Sequence, residues 1–260
     1  MTACLSKAEG SDKKYIGDQI KNIALNAINN APMLDAPFPC FTVDKLFSWN
    51  VYHQIISQLP SDNDYFRSKE GRTPNPYAIQ SRSKISLSDP DQLTKIDSKK
   101  RLIWRELNDL FTSDDFMVCL FRKYAPFLKG RYGDLTHFDT STRLELIRDK
   151  TGYRINPHTD APHKIFTSLI YLPKDCLSID LGTSIYEPEE KGFRCEIGGQ
   201  YSPEDRRFNE VLRAPYQAGR MFSFMKTDNS FHGREPIEVS NVERNHMICT
   251  VQHKQTFVRS

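Results

Sequence analysis

The sequence contains no long apolar run, no closely spaced pair of cysteines and no strong excess of charge of one sign. Its six cysteines are scattered over 260 residues without a Cys-x-x-Cys pair, which argues against a zinc ribbon or a thioredoxin-like site. The formal net charge of +3 comes without a dense Lys/Arg run, so we expect no nucleic-acid partner. Without a membrane-length apolar stretch or an apolar signal-like segment, we expect a cytoplasmic protein with no membrane partner. The sequence patterns do not predict the oligomeric state.

The first half of the chain is predicted to be mainly helical. Apolar residues repeat at helical spacing in four segments, and Asp44 is a plausible N-cap for the second of them. Residues 61–97 are polar with weak periodicity, which is typical either of a lid over a site or of a surface excursion. The predicted elements of this half are a flexible tail over 1–12, helices over 15–28, 45–59, 99–111 and 114–128, and a short strand over 37–43.

Strand patterns begin at about Thr140. The segment 164–172 is rich in β-branched and aromatic residues and gives the best strand signal in the chain, whereas most of 174–217 is irregular. Several short strands in a row favour a sandwich or a barrel. We expect one domain over 13–260, helical to about 139, with a β core over about 140–255. The predicted strands of this half are 143–148, 153–158, 164–172, 183–186, 193–197, 221–225 and 244–252.

A candidate metal site begins in the stretch Asn156-Pro157-His158-Thr159-Asp160. In an extended stretch His158 and Asp160 project from one face, because strand side chains alternate with a period of two. His232 follows a strand and a turn and is the candidate third ligand. Two imidazoles and one carboxylate on one side of an ion leave open positions, as in non-haem Fe(II) oxygenases. A zinc site that uses His163 with His158 and Asp160 is the alternative.

Arg244 is the candidate anchor for an anionic cosubstrate. It begins the last predicted strand, twelve positions after His232, and the planar guanidinium suits a bidentate pairing with a carboxylate. His246 shares its face of the strand, and we expect this histidine to be a packed core residue near Arg244.

His158-Thr159-Asp160, His232 and Arg244 resemble the HxD…H…R pattern of the Fe(II)/2-oxoglutarate-dependent dioxygenases. The resemblance covers about Thr142 to Gln252. It is greatest to the prolyl-hydroxylase-like branch, because Arg244-Asn245-His246 stands where the plant enzymes have Arg-x-Ser.

The resemblance implies a mainly β fold with flanking α-helices, namely a double-stranded β-helix (a cupin-like jelly roll) with N-terminal helices packed on one sheet. Fe(II) would bind the two histidines and Asp160, and Arg244 would hold the distal carboxylate of 2-oxoglutarate. Tyr153 or Thr167 would add a hydrogen bond to the cosubstrate, and Arg154 and Arg220 are candidate substrate contacts.

The implied reaction consumes O₂, converts 2-oxoglutarate to succinate and CO₂, and oxidises an unactivated C–H bond. A small molecule such as an amino acid or a biosynthetic intermediate would be hydroxylated, desaturated or cyclised. Asp160 fills the position that related halogenases leave open, so halogenation is disfavoured. Two alternatives stay open: a protein side-chain hydroxylase of the same family, and a catalytically silent jelly roll that binds metal and a partner.

Overall fold

The computed structural model describes residues 17, 20–67, 81–133, 139–174, 181–202 and 204–254. The predicted tail over 1–12 and the centre of the predicted long loop, 68–80, lie outside the described residues. Within the described ranges, no helix has the length and apolarity needed to cross a membrane.

The helices of the first half present apolar faces to a sheet. The helix over residues 20–30 buries Ile20, Ala24 and Ile28, one residue per turn. The second helix begins at Trp49 and not at Lys45, because Ser48, and not Asp44, is its N-cap and accepts a hydrogen bond from the Val51 N–H at 3.4 Å. The other helices span Trp49–Ser57, Pro90–Leu93, Ser98–Phe111 and Asp114–Tyr132, with a 3₁₀ turn at Asp62–Asp64.

The strands form two antiparallel sheets. The large sheet has the order β1-β2-β10-β7-β12-β5-β4-β3, and the small sheet has the order β6-β11-β8-β9. The strands are β1 Met33–Leu34, β2 Cys40–Val43, β3 Phe66–Arg67, β4 Arg82–Ser86, β5 Thr140–Lys150, β6 Ile155–His158, β7 Lys164–Tyr171, β8 Thr183–Pro188, β9 Phe208–Ala214, β10 Met221–Met225, β11 His232–Arg234 and β12 Glu243–His253.

Three sequence predictions about these strands were wrong. Residues 61–97 do not form a continuous loop, because β4 lies in this stretch and pairs with β5 in the large sheet. Strand β9 lies in a stretch that we predicted to be irregular. Residues 193–197, predicted as a short strand, are not a strand, and Phe193 packs instead with other aromatic residues such as Tyr201 and Phe231.

Alternation along the strands divides the core into two layers. On β10, Met221 and Met225 belong to the apolar cluster that contains the helices, whereas Phe222 and Phe224 belong to the cluster between the two sheets. The predicted architecture, a jelly roll with N-terminal helices on one sheet, is therefore confirmed.

Candidate metal centre

The two small-sheet strands β6 and β11 bring the candidate metal ligands together. His158 ends β6, His232 begins β11, and the two residues are direct partners in the antiparallel register. Asp160 follows His158 by two positions, just beyond the strand. One ligand atom from each of the three residues lies within 4.8 Å of the other two. In the described part of the chain, this is the one cluster of at least three His, Cys, Asp or Glu residues suited to a metal, and it does not include His163.

Backbone carbonyls orient both imidazoles. Nδ1 of His158 lies 2.9 Å from the carbonyl oxygen of Asn156, and Nδ1 of His232 lies 3.0 Å from that of Ser230. We assign the ring proton to Nδ1 in both, since only an N–H can donate to a carbonyl. The lone pair of each Nε2 is then available for a metal ion, an arrangement that is common among metal-binding histidines.

Burial keeps both imidazoles in the neutral form that a metal ligand requires. Burial and then the neighbouring His232 lower the pKa of His158 to about 3. The pKa of His232 is also lowered, chiefly by burial. Protonation therefore does not compete with metal binding at neutral pH.

Two side chains hold the carboxylate of Asp160. The Thr167 hydroxyl donates to Oδ2 at 2.6 Å, and the Lys164 ammonium donates to Oδ1 at 2.6 Å. Burial alone would raise the pKa of Asp160, but Lys164 and then the two imidazoles lower it below its usual range. Asp160 is thus a fixed anion. Thr167 was predicted to contact the cosubstrate, but its hydroxyl donates its hydrogen bond to Asp160.

Arg244 is 2% exposed and is almost fully engaged by protein groups. Its Nε donates to the Leu181 carbonyl at 2.6 Å, Nη1 to Asp149 at 2.9 Å, and Nη2 to the Thr183 hydroxyl at 3.2 Å. Both ring nitrogens of His246 lie 3.2 Å from Nη1. His246 is fully buried, in agreement with its prediction as a core histidine.

Arg244 and the three ligand candidates line one cavity of about 150 Å³. Sequence reasoning missed Arg82, which also lines this cavity, and Asp149, which lies behind it. Tyr153 is 1% exposed, and its hydroxyl has no hydrogen-bond partner among the described residues. The cavity lining consists of Arg82, Tyr153, Ile155, His158, Asp160, Lys164, Thr167, Leu169, Thr183, His232, Gly233, Arg234, Arg244, His246 and Ile248.

A larger cleft of about 480 Å³ lies beside this cavity and shares Ile155 and Arg234 with it. Arg154, a candidate substrate contact, lines the cleft. Arg220, the other candidate, lines neither space as far as the structure describes them; it forms a 2.8 Å ion pair with Asp44. The sequence could not distinguish these two arginines as substrate contacts, whereas the structure places only Arg154 on the wall of the cleft.

No protein-family model matches the chain, and no curated protein matches it in sequence. Solved structures do match. A prolyl hydroxylase from Trichoplax adhaerens, in complex with a peptide fragment of the hypoxia inducible factor oxygen degradation domain, is 12% identical with a TM-score of 0.52, covering 92% of each chain. A prolyl 4-hydroxylase from Phytophthora capsici is 17% identical with a TM-score of 0.54, covering 92% of this chain and 65% of that one. The chain therefore has the jelly-roll fold of these prolyl hydroxylases.

Proposed function

We propose that the protein is an Fe(II)- and 2-oxoglutarate-dependent oxygenase that acts on a small molecule. The observation that carries this proposal is the position of the cluster His158, Asp160 and His232 on the wall of a cavity that also presents Arg244. A metal and an anionic cosubstrate are thus expected to bind in one space.

The residues present fit the proposed cofactor and cosubstrate. Two neutral imidazoles and one carboxylate suit Fe(II) and leave coordination positions open. The buried Tyr153 hydroxyl, for which no described residue is a partner, fits a cosubstrate that accepts a hydrogen bond. Bound Fe(II) would supply the redox chemistry that couples O₂ and 2-oxoglutarate to oxidation of the substrate.

The chain's own contribution is to position the candidate metal ligands and a positive charge for the cosubstrate. Thr167 and Lys164 fix the carboxylate of Asp160, while the backbone carbonyls of Asn156 and Ser230 fix the two imidazoles. Arg244, at 2% exposure, provides a fixed positive charge that needs no reorganisation when an anion binds.

The adjacent cleft is the proposed substrate site. Its volume of about 480 Å³ lies within the range of small-molecule pockets, and Arg154 on its wall can contact an anionic group. A second candidate, a protein side-chain hydroxylase, is favoured by the peptide bound to the Trichoplax enzyme. Succinate release with a panel of amino acids, compared with release with a peptide mixture, separates the two.

The cofactor assignment is tested by anaerobic titration of metal-free protein with Fe(II) and then 2-oxoglutarate. We expect the weak visible charge-transfer band of an iron-bound keto acid, and its loss in His232→Ala. His163→Ala is the matched control, because His163 is outside the ligand cluster, and this variant should keep the band. Metal binding without the band would favour the zinc or silent-binder alternatives. In air, a silent binder forms no succinate.

The partners and location follow from the sequence patterns. We propose that the protein acts in the cytoplasm without nucleic acid or membrane. Support comes from the mild charge and from four described cysteines that are buried and free, Cys40, Cys119, Cys195 and Cys249.

A further inference from the structure

Arg82 and Arg244 share a single buried carboxylate, that of Asp149. Nε and Nη2 of Arg82 donate to the two oxygens of Asp149 at 2.6 and 2.9 Å, and Nη1 of Arg244 donates to Oδ2 at 2.9 Å. The exposed fraction of the side chain is 0% for Asp149, 3% for Arg244 and 17% for Arg82. The group is thus a buried cluster of two cations and one anion.

This cluster lacks one negative charge. His246 adds no positive charge, since burial and then Arg244 hold its pKa well below the usual range. Arg234, a further cation nearby, has its own counter-ion in Glu235 at 2.8 Å, so the missing charge belongs to the pair Arg82 and Arg244. A buried charge without a counter-charge is costly. An anion bound in the adjoining cavity would relieve that cost.

Arg244 alone cannot supply a bidentate anchor for such an anion. A guanidinium has five N–H donors. Those of Arg244 are directed at Leu181, Asp149, His246 and Thr183, which leaves one hydrogen on Nη2. A fork-to-fork pairing with a ligand carboxylate needs two parallel N–H groups.

Arg82 has the donors that Arg244 lacks. Two of its N–H groups bind Asp149, and the remaining three have no partner among the described residues. The guanidinium lies 4.0 Å from the centre of the Tyr153 ring, which holds it in place. Both side chains line the 150 Å³ cavity, and the Tyr153 hydroxyl has no partner in the described part of the chain. Arg82, Tyr153 and Arg244 therefore border the same space.

We propose that Arg82 is a second anchor for the distal carboxylate of 2-oxoglutarate, acting with Arg244 around Asp149. The assignment rests on the proposed function. This assignment would give strand β4 a role in cosubstrate binding. The strand precedes the predicted β core, but it pairs with β5 and places the side chain of Arg82 in the cavity wall.

The test compares two keto acids in anaerobic titrations of the Fe(II)-loaded protein, with the charge-transfer band as the readout of binding. One is 2-oxoglutarate, and the other is 2-oxopentanoate, a five-carbon keto acid without the distal carboxylate. Arg82→Gln should raise the half-saturating concentration of 2-oxoglutarate by about tenfold or more and leave that of 2-oxopentanoate unchanged. A purely structural role of Arg82 would instead weaken both keto acids alike.

Lys84→Gln is the matched control. Lys84 lies on the same strand and forms a 2.8 Å ion pair with Glu145 of β5, but lines neither described cavity. The Lys84→Gln variant should bind both keto acids with the same half-saturating concentrations as the unaltered protein. If Arg82→Gln does not fold, Arg82→Lys keeps the charge opposite Asp149 without the fork and should show the same selective loss.

Two outcomes overturn the assignment in different ways. Unchanged affinity of the Arg82 variants for 2-oxoglutarate, or an equal loss for both keto acids, removes the anchor and leaves the proposed function intact. Absence of the band in the unaltered protein with Fe(II) and 2-oxoglutarate overturns the proposed function and the anchor together.

Discussion

His232 lies directly opposite His158 in the antiparallel pair of β11 and β6, and the centres of the two imidazole rings are 4.3 Å apart. The next residue, Gly233, permits this approach of the strands. A Cβ atom at Gly233 would lie 2.7 Å from the carbonyl oxygen of Ile155 and 3.1 Å from that of Asn156, both in the backbone of β6. The distance between the two histidines therefore depends on a residue without a side chain.

Gly233→Ala should separate the strands and weaken the metal site. We expect a loss of about 1–3 kcal/mol in the free energy of unfolding, the usual cost of overpacking, and an Fe(II) affinity at least about tenfold lower. Metal titration and urea unfolding measure the two effects. Gly130→Ala is the control. Gly130 lies in the helix Asp114–Tyr132, and its added Cβ would come within 4 Å of no described atom beyond the adjacent helix backbone, so the exchange should be neutral or slightly stabilising. Wild-type metal affinity in Gly233→Ala would show that close strand approach does not set the ligand geometry.

Thr167→Val should lower metal affinity by about 10- to 100-fold, the usual effect of removing a hydrogen bond to a metal ligand. The exchange keeps the shape of the side chain and removes the hydroxyl that donates to Asp160. Thr250→Val is a matched control, since Thr250 is the direct partner of Thr167 on β12 and is 4% exposed. Equal metal affinities in the two variants would contradict an orienting role for Thr167.

The three candidate metal ligands could be proposed from the sequence because each of them lies in a recognisable local pattern. His158 and Asp160 stand two positions apart, and His232 directly follows a predicted strand and turn. The resemblance pointed to the same three residues. The Arg82 and Asp149 pair could not be predicted in this way, because 67 positions separate its members and only the pairing of β4 with β5 brings them together. Residues far apart in sequence meet through tertiary structure, which no periodicity encodes.

Strand β9 was missed for a different reason. It is the edge strand of the small sheet, and four of its seven residues, Asn209 to Leu212, are exposed. An edge strand with this pattern lacks the alternation of apolar and polar residues that marks a half-buried strand. By contrast, β10 was predicted with its observed bounds, because all five of its residues are buried and apolar side chains dominate.

Arg244→Ala should raise the concentration of 2-oxoglutarate required for half-saturation by about tenfold or more, while Fe(II) affinity changes little because Arg244 contacts none of the three ligand candidates. Anaerobic titrations with each component measure the two constants separately. Arg220→Ala removes an arginine that pairs with Asp44 outside the cavity, and it should leave both constants unchanged. An unaltered 2-oxoglutarate requirement in Arg244→Ala would show that another group anchors the cosubstrate.

Lys226 is a buried lysine whose titration should be visible in the stability of the protein. Its ammonium donates to the Thr159 hydroxyl at 3.2 Å and to the carbonyls of Cys195 and Thr227 at 3.2 and 2.9 Å, and it is 1% exposed. Burial, and then the charge of Arg131, lower its pKa to about 8. The unfolded chain, with an ordinary lysine pKa of about 10.4, binds more protons than the folded chain between these values. Stability from this group therefore rises with pH across that window and is lost as pH falls through about 8.

Lys226→Met should abolish this pH dependence. The free energy of unfolding of the unaltered protein, minus that of the variant, should increase between pH 7.5 and pH 10, by at most about 3 kcal/mol for a shift of this size. Urea unfolding of both proteins across the range measures the difference, and subtraction removes the titration of groups that the two proteins share. Because the hydrogen bonds of Lys226 stabilise its charged form, a smaller rise is expected than burial alone would give. A difference that is flat over this range would mean that those hydrogen bonds fully compensate burial and that Lys226 keeps its ordinary pKa, and a difference that falls would mean that they raise its pKa.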